Sequence, residues 1–474
     1  MAYLYYYYIK SVRYYVKKFY FILLLCSLIF ISPYSLSGIV VDMTAAKNQQ
    51  PDIYHYIEQK KTCKVQNAYC QGAIFTTINI VSPDAHGVSH NKYNEFNIAF
   101  GRGFNRFYLN NLEANSPGFV GNPNLVNQTA KIILNEVTSN KQSRLYGSLS
   151  VIGQKAHVII ANPSGISCNG CQFTNTERVT LTTGVPIFNS GVLTGYDVNQ
   201  GNISIDGNGL KYNDNLDNFL ELFSASLNID GEIHSGIIQA IIGKKNITLT
   251  SLRKRFATQL KDDRFSNKET NVVIDVTQLG GMYANKIFLY ANSGGIQNKG
   301  MIDADAVAHL ASTSFIRNSS GRIYASKLKL RGLGDVDNID GRIKSERQGV
   351  RYKANEKFGI RMSGHNINNR AGSIYANSGY TSIEATGFFN NWDGVIKSNA
   401  FSGPADIRIK AKIVANDYGQ VVTSQGIQID TSELRNNKGR IVSAFKDVDL
   451  RYKTLMGEDG VIHAGIEINR TIKS

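Results

Sequence analysis

Six times between residues 316 and 441 the same phrase returns: an apolar residue, one spacer, Asn, two residues, Gly, one residue, then Val or Ile. It occupies Ile316 to Ile323, Val336 to Ile343, Ile367 to Ile374, Phe389 to Ile396, Val414 to Val421 and Leu434 to Ile441, with weaker copies at Ile296 to Ile302 and Met456 to Ile462. The glycines Gly300, Gly321, Gly341, Gly372, Gly394, Gly419, Gly439 and Gly460 are 21, 20, 31, 22, 25, 20 and 21 residues apart. A period near 20 means one unit stacked on itself. Val and Ile alternate within the unit and no helical periodicity appears, so each period reads as one coil of an all-β parallel β-helix. The reading assigns Gly to a positive-φ corner. It assigns Asn to backbone bonding or, if inward, to a ladder along the axis. The stack is expected from about Ile74 to Ile472, with the charged stretch Ser251 to Glu269 excluded as a loop.

The chain begins with a tyrosine-rich stretch carrying Lys10, Arg13, Lys17 and Lys18, then the apolar run Phe19 to Ile31, then Ser35 and Ser37 before Gly38. A basic region, a short apolar core and a small-x-small site make residues 1–37 a signal peptide. The run is shorter than a membrane span requires, and no other stretch is apolar enough, so no span is expected after cleavage. Of five cysteines, Cys26 leaves with the leader. In an oxidising compartment Cys63 with Cys70 and Cys168 with Cys171 read as two local disulfides. A four-thiolate zinc site is the rival reading, disfavoured by export and by the distance between the pairs. Neither a metal nor any other cofactor is expected.

Composition narrows the partners. The net charge is +15, but four of the positive charges belong to the leader. The rest, such as Arg322, Lys344, Lys397 and Arg440, fall singly along the repeats. With no aromatic-interleaved basic cluster in the sequence, they read as solvated turns, and no nucleic-acid partner is expected. Parallel β-helices do host polysaccharide-active enzymes, whose sites need acids at one phase of adjacent coils. Asp303, Asp337, Asp340, Asp393 and Asp459 instead read as solvated corner residues, and the eight His are dispersed. The expectation is a chain that is not an enzyme and has no catalytic residues.

Two turns stand out: Asn122-Pro123-Asn124-Leu125 and Asn162-Pro163-Ser164-Gly165-Ile166, each a type I turn by its chemistry. The second lies in a run from Val151 through Cys168-Asn169-Gly170-Cys171 to Thr176-Glu177-Arg178-Val179-Thr180-Leu181. The first follows Gly87-Val88-Ser89-His90-Asn91 and precedes Ile133-Leu134-Asn135-Glu136-Val137. From about Ile39 to Leu289, including Leu279-Gly280-Gly281-Met282, the chain resembles the N-terminal secretion domain of two-partner secretion exoproteins, the filamentous haemagglutinin and haemolysin family.

That resemblance implies a right-handed β-helix with an N-terminal cap. It implies export of the unfolded chain through a partner outer-membrane β-barrel whose periplasmic domains bind the secretion domain. It places both Asn-Pro turns in the region needed for secretion, and matches Cys168 and Cys171 to the family's cysteine pair. The organisation expected is signal peptide at 1–37, secretion domain at 38–290 and β-helix repeats at 291–474. The protein is expected outside a Gram-negative cell or on its surface, reached via the periplasm. There it would act as an adhesin on host or neighbouring cells; the alternatives are the N-terminal part of a contact-dependent growth inhibition toxin or a haemolysin. Asp42 to Ala73 reads as polar and irregular, and Asp52 to Gln71 has no counterpart in the family pattern. Family members are usually far longer, so a chain ending after roughly nine coils is expected to be a truncated or split product.

Overall fold

The computed structural model describes residues 38–57, 74–98, 106–212, 215–249, 271–346, 358–377, 379–399 and 406–473. The leader, the pair Cys63 and Cys70, and the excluded stretch Ser251 to Glu269 lie outside them.

The chain winds as a parallel β-helix with three strand-bearing faces. The first face is a 13-stranded parallel sheet running from Ser143–Leu145 to Thr454–Met456. A corner then leads to the second face, where Ile74–Asn79 pairs with Arg106–Asn111, and the succession continues to Val461–His463. The third face runs from Val88–Phe96 through Ile132–Val137 to Ile468–Ile472. One coil cannot bury its own apolar side, so the core exists only as stacked columns. In one column Ile302, Ile323, Ile343, Ile374, Ile396, Val421 and Ile441 are in register and buried in successive coils. Each such residue meets its own kind about 4.8 Å away, the spacing of paired strands.

The N-terminal end is capped by antiparallel pairing. Ile39–Val41 lies against Val88–Phe96, and Asp52–Ile57 lies against Ile74–Asn79. Part of the segment read as irregular is therefore a strand, and it covers backbone edges that the first coil would leave open. A three-stranded antiparallel sheet, Val185–Asn189, Val192–Val198 and Lys245–Thr248, makes a second addition. It packs on the outside of the third face through Leu193, Tyr196, Val198 and Ile247, against Leu134, Ile159, Phe223 and Tyr290.

The repeat phrase resolves into two devices. Asn298, Asn318, Asn338, Asn369, Asn391, Asn416 and Asn436 are buried at the corner after the first face. Each Nδ2 donates to the next Oδ1 at 2.7–2.8 Å. The ladder opens at Asn298, whose Oδ1 has no partner among the described residues. One coil earlier its register position holds Val276, which has no amide to donate. The glycines differ from the expectation. None of the eight repeat glycines has positive φ; that conformation falls on the residue before, as at Ser320, Asp340, Ala371, Asp393, Tyr418, Lys438 and Asp459, with φ of 51–58°. Glycine is required instead by close approach. A Cβ at Gly372, Gly394, Gly419, Gly439 or Gly460 would lie 2.0–2.2 Å from the carbonyl oxygen of the previous coil's ladder asparagine.

Two further expectations change. Asp340, Asp393 and Asp459 do sit in corners. Asp303 and Asp337 lie in strands, the latter 3.6 Å from the Arg317 Nε. The basic residues are not all isolated either: register brings Lys344 and Lys397 into one outward column with Tyr324 and Tyr375.

Candidate functional site: the two Asn-Pro turns and their surroundings

The first turn follows the second-face strand Arg106–Asn111 and leads toward the third face. Asn122 is buried, and its backbone N–H donates to the Leu112 carbonyl at 2.7 Å. Its Nδ2 donates at 2.9 Å to both the Ile80 and Asn110 carbonyls, tying two coils together. Its Oδ1 accepts from the Asn124 N–H at 2.9 Å and its carbonyl from the Leu125 N–H at 3.1 Å, closing the turn twice. Pro123, exposed, holds φ for the second turn position. Asn124 donates to the Asp52 carboxylate at 2.9 Å, anchoring the cap strand, and Leu125 enters the core.

The second turn repeats this chemistry at a different corner, between Ala156–Ala161 on the third face and Ile166–Cys168 on the first. Asn162 is fully buried. Its Nδ2 donates at 2.9 Å to the Lys141 carbonyl and the Ser143 hydroxyl of the previous coil. Its Oδ1 accepts from the Ser164 N–H at 2.9 Å, and its carbonyl accepts from the Gly165 N–H at 3.0 Å. Gly165, at φ 109°, has a conformation that L side chains rarely adopt. Pro163 supplies the fixed φ, and Ile166 begins the first-face strand, buried between Ser143 and Ile203. The two turns thus have one design and occupy separate corners; no hydrogen bond among the described residues joins them.

Cys168 and Cys171 are disulfide-bonded in the structure. Through Ile205, Ile229 and Val276, Cys168 shares a register column with Asn298, the first ladder asparagine. Through Leu210, Ile233 and Met282, Cys171 shares one with Ile302. A covalent bond holds early in the stack the same corner that the amide ladder holds later.

A polar cluster that the sequence reading did not single out lies near the side sheet. Glu221, 1% exposed, accepts from Arg178 at 3.1 Å and from the Thr180 hydroxyl at 2.6 Å. Thr180 in turn meets the His157 Nε2 at 2.7 Å. Burial pushes the Glu221 carboxyl up, opposed by Arg178, and pushes the His157 imidazole down to about 3, so His157 is neutral at neutral pH. The Glu221 carboxylate and the Thr180 hydroxyl are enclosed, and the network they make with Arg178 and His157 fixes the third-face coils to one another. Nearer the cap, His90 bonds the Glu136 carboxylate at 2.6 Å and Gln49 at 3.1 Å while its ring stacks on Phe188 at 5.2 Å. His90 therefore joins cap, coil and side sheet. Among the described residues no group of His, Cys, Asp and Glu could hold a metal ion, and no helix is long and apolar enough to cross a membrane.

The sequence profile of the TPS secretion domain matches residues 55–308, just over half of the chain. Toxin CdiA of Yersinia pestis is 36% identical over 292 residues, which is 60% of this chain and 8% of that protein. The tRNA nuclease CdiA-2 of Burkholderia pseudomallei is 37% identical over 235 residues, or 48% of this chain and 7% of that protein. The chain therefore spans less than a tenth of the length of these relatives. Among solved structures, the filamentous hemagglutinin secretion domain aligns with 90% of this chain and 99% of its own, at 20% identity and a TM-score of 0.37.

Proposed function

The chain belongs to the two-partner secretion family, and we propose that it is the export-competent N-terminal unit of a secreted exoprotein. In this reading it leaves the periplasm of a Gram-negative cell through a partner outer-membrane β-barrel. The barrel's periplasmic domains bind the region of the two Asn-Pro turns. Outside, the coils stack one on another, and the mature surface acts in adhesion to a host or neighbouring cell. A family match across the capped N-terminal coils is the observation that carries the reading.

The reading assigns no catalysis to these coils. The similarity to Toxin CdiA and to the tRNA nuclease CdiA-2 favours a second reading for the whole protein, delivery of a toxin on contact, in which this chain is the export and stalk portion. Both readings share the export step. The test is co-expression of the chain with and without its partner barrel, followed by immunoblotting of medium and periplasm. Export that needs the barrel and falls in Asn162→Ala and Pro163→Ala supports the proposal; equal export without the barrel overturns it.

A further inference from the structure

On the outward side of the second face, register builds a surface that a linear reading of the chain hides. Tyr324, Lys344, Tyr375 and Lys397 are partners in four successive coils. All four are half-buried, their bodies packed down and their polar ends reaching water. The Lys397 ammonium lies 5.9 Å from the Tyr375 ring centre. In the neighbouring outward column Arg322 stands beside Arg342, followed by Ser373 and Val395. Two guanidinium groups on adjacent coils repel, and among the described residues no carboxylate pairs with either of them or with Lys397. Lys344 is paired, with Glu346. A groove of about 500 Å³ is lined by Tyr324, Arg342, Lys344, Ser373, Tyr375 and Val395. The aromatic–basic column is bounded by Asp303 at one end and Val422 at the other.

We propose that this groove binds an extended acidic polysaccharide, lying along the helix axis with sugar rings on Tyr324 and Tyr375 and carboxylate groups on Arg342, Lys344 and Lys397. Three features select that class. The coil rise of about 4.8 Å is close to the length of one sugar unit, so successive sugars meet successive coils. A chain with an acid group on every sugar then offers a ring face at each tyrosine coil and a carboxylate at each lysine coil of the Tyr–Lys–Tyr–Lys column. Tyrosine offers a flat apolar face with a polar rim, which suits the apolar face and hydroxyl edge of a sugar. A nucleic acid fits less well, because its bases need neighbouring rings to stack on, and here a lysine separates the tyrosines. The inference deepens the adhesion reading by naming a ligand class, and its test does not depend on export.

The purified chain, folded as judged by its far-UV circular dichroism, is titrated calorimetrically with polygalacturonate, with neutral dextran and with a single-stranded DNA oligonucleotide. Binding to polygalacturonate that weakens with salt, together with no binding to dextran and weaker binding to DNA, is expected. Tyr375→Ala and Lys344→Gln should each weaken it by about tenfold, equivalent to about 1.4 kcal/mol. Lys446→Gln, at an exposed site away from the groove, should leave it unchanged. Circular dichroism and the unfolding midpoint of each variant separate lost binding from lost fold. The proposal is overturned by absent binding to polygalacturonate, by equal affinity for DNA, or by folded groove variants that bind as the parent does.

Discussion

Asn391 and Asn390 are neighbours of one residue type with opposite surroundings, and replacing each by Ala isolates what the buried ladder contributes. Asn391 is fully buried, donates to the Asn416 Oδ1 at 2.7 Å and to the Gly394 carbonyl at 3.1 Å, and accepts from Asn369 at 2.8 Å. Its removal leaves the Asn416 oxygen buried without that donor, costing about 1–3 kcal/mol, and deletes the bond from Asn369 for about 1 more. The total is about 3 kcal/mol. Asn390, half-exposed, donates to Asn368 at 3.1 Å and accepts from the Trp392 N–H at 3.0 Å. Water replaces those partners, so its loss costs under about 1 kcal/mol. Urea titration of the purified variants, followed by far-UV circular dichroism, reads the difference. Equal destabilisation of the two, or a loss below about 1 kcal/mol for Asn391→Ala, refutes the assignment of corner stability to the ladder.

The same titration checks the glycine assignment. Gly419→Ala places a Cβ 2.1 Å from the Asn391 carbonyl oxygen and should cost about 3 kcal/mol or more, whereas Gly207→Ala, with nothing within 4 Å, should change stability by less than about 0.5 kcal/mol. A pH effect follows from His309, whose imidazole is pushed down to about 4 by burial and by Lys329 and Arg331. The unfolded chain takes up a proton near pH 6.5 that the folded chain refuses, so stability is complete above that pH and falls as pH drops toward 4. His309→Gln should remove part of that loss, by at most about 3 kcal/mol, when urea midpoints at pH 7 and pH 4.5 are compared.

The coil and its period were legible because inward Val and Ile recur in one dimension, as with Ile323, Ile343 and Ile374, and that recurrence survives insertions such as the 31-residue step to Gly372. The glycines were legible in position and misread in cause. A corner glycine suggests positive φ, but the left-handed residue is its predecessor, and the constraint comes from a carbonyl one coil away that no local motif reports. The Asn-Pro turns could be recognised as turns from chemistry alone. Their tie across coils, Asn122 to Ile80 and Asn162 to Ser143, needed the register. The Tyr–Lys column was invisible for the same reason. Its members are 20, 31 and 22 residues apart, so each looked like a solitary surface residue. The side sheet's core is not legible in the sequence because Tyr196, on the side sheet, and Phe223, on the third face, meet only through tertiary packing.

The central claim is that the Asn162 corner is read by the export machinery as well as by the fold. The direct measurement is the exported fraction of Asn162→Ala and of Asn391→Ala, co-expressed with the partner barrel, set beside the urea-derived stability of each purified variant. The account predicts that export of Asn162→Ala falls at least fivefold, while Asn391→Ala, destabilised by about 3 kcal/mol, is exported near the parent level. Export that falls in both variants in proportion to lost stability would contradict it, and would make Asn162 and Pro163 turn residues alone.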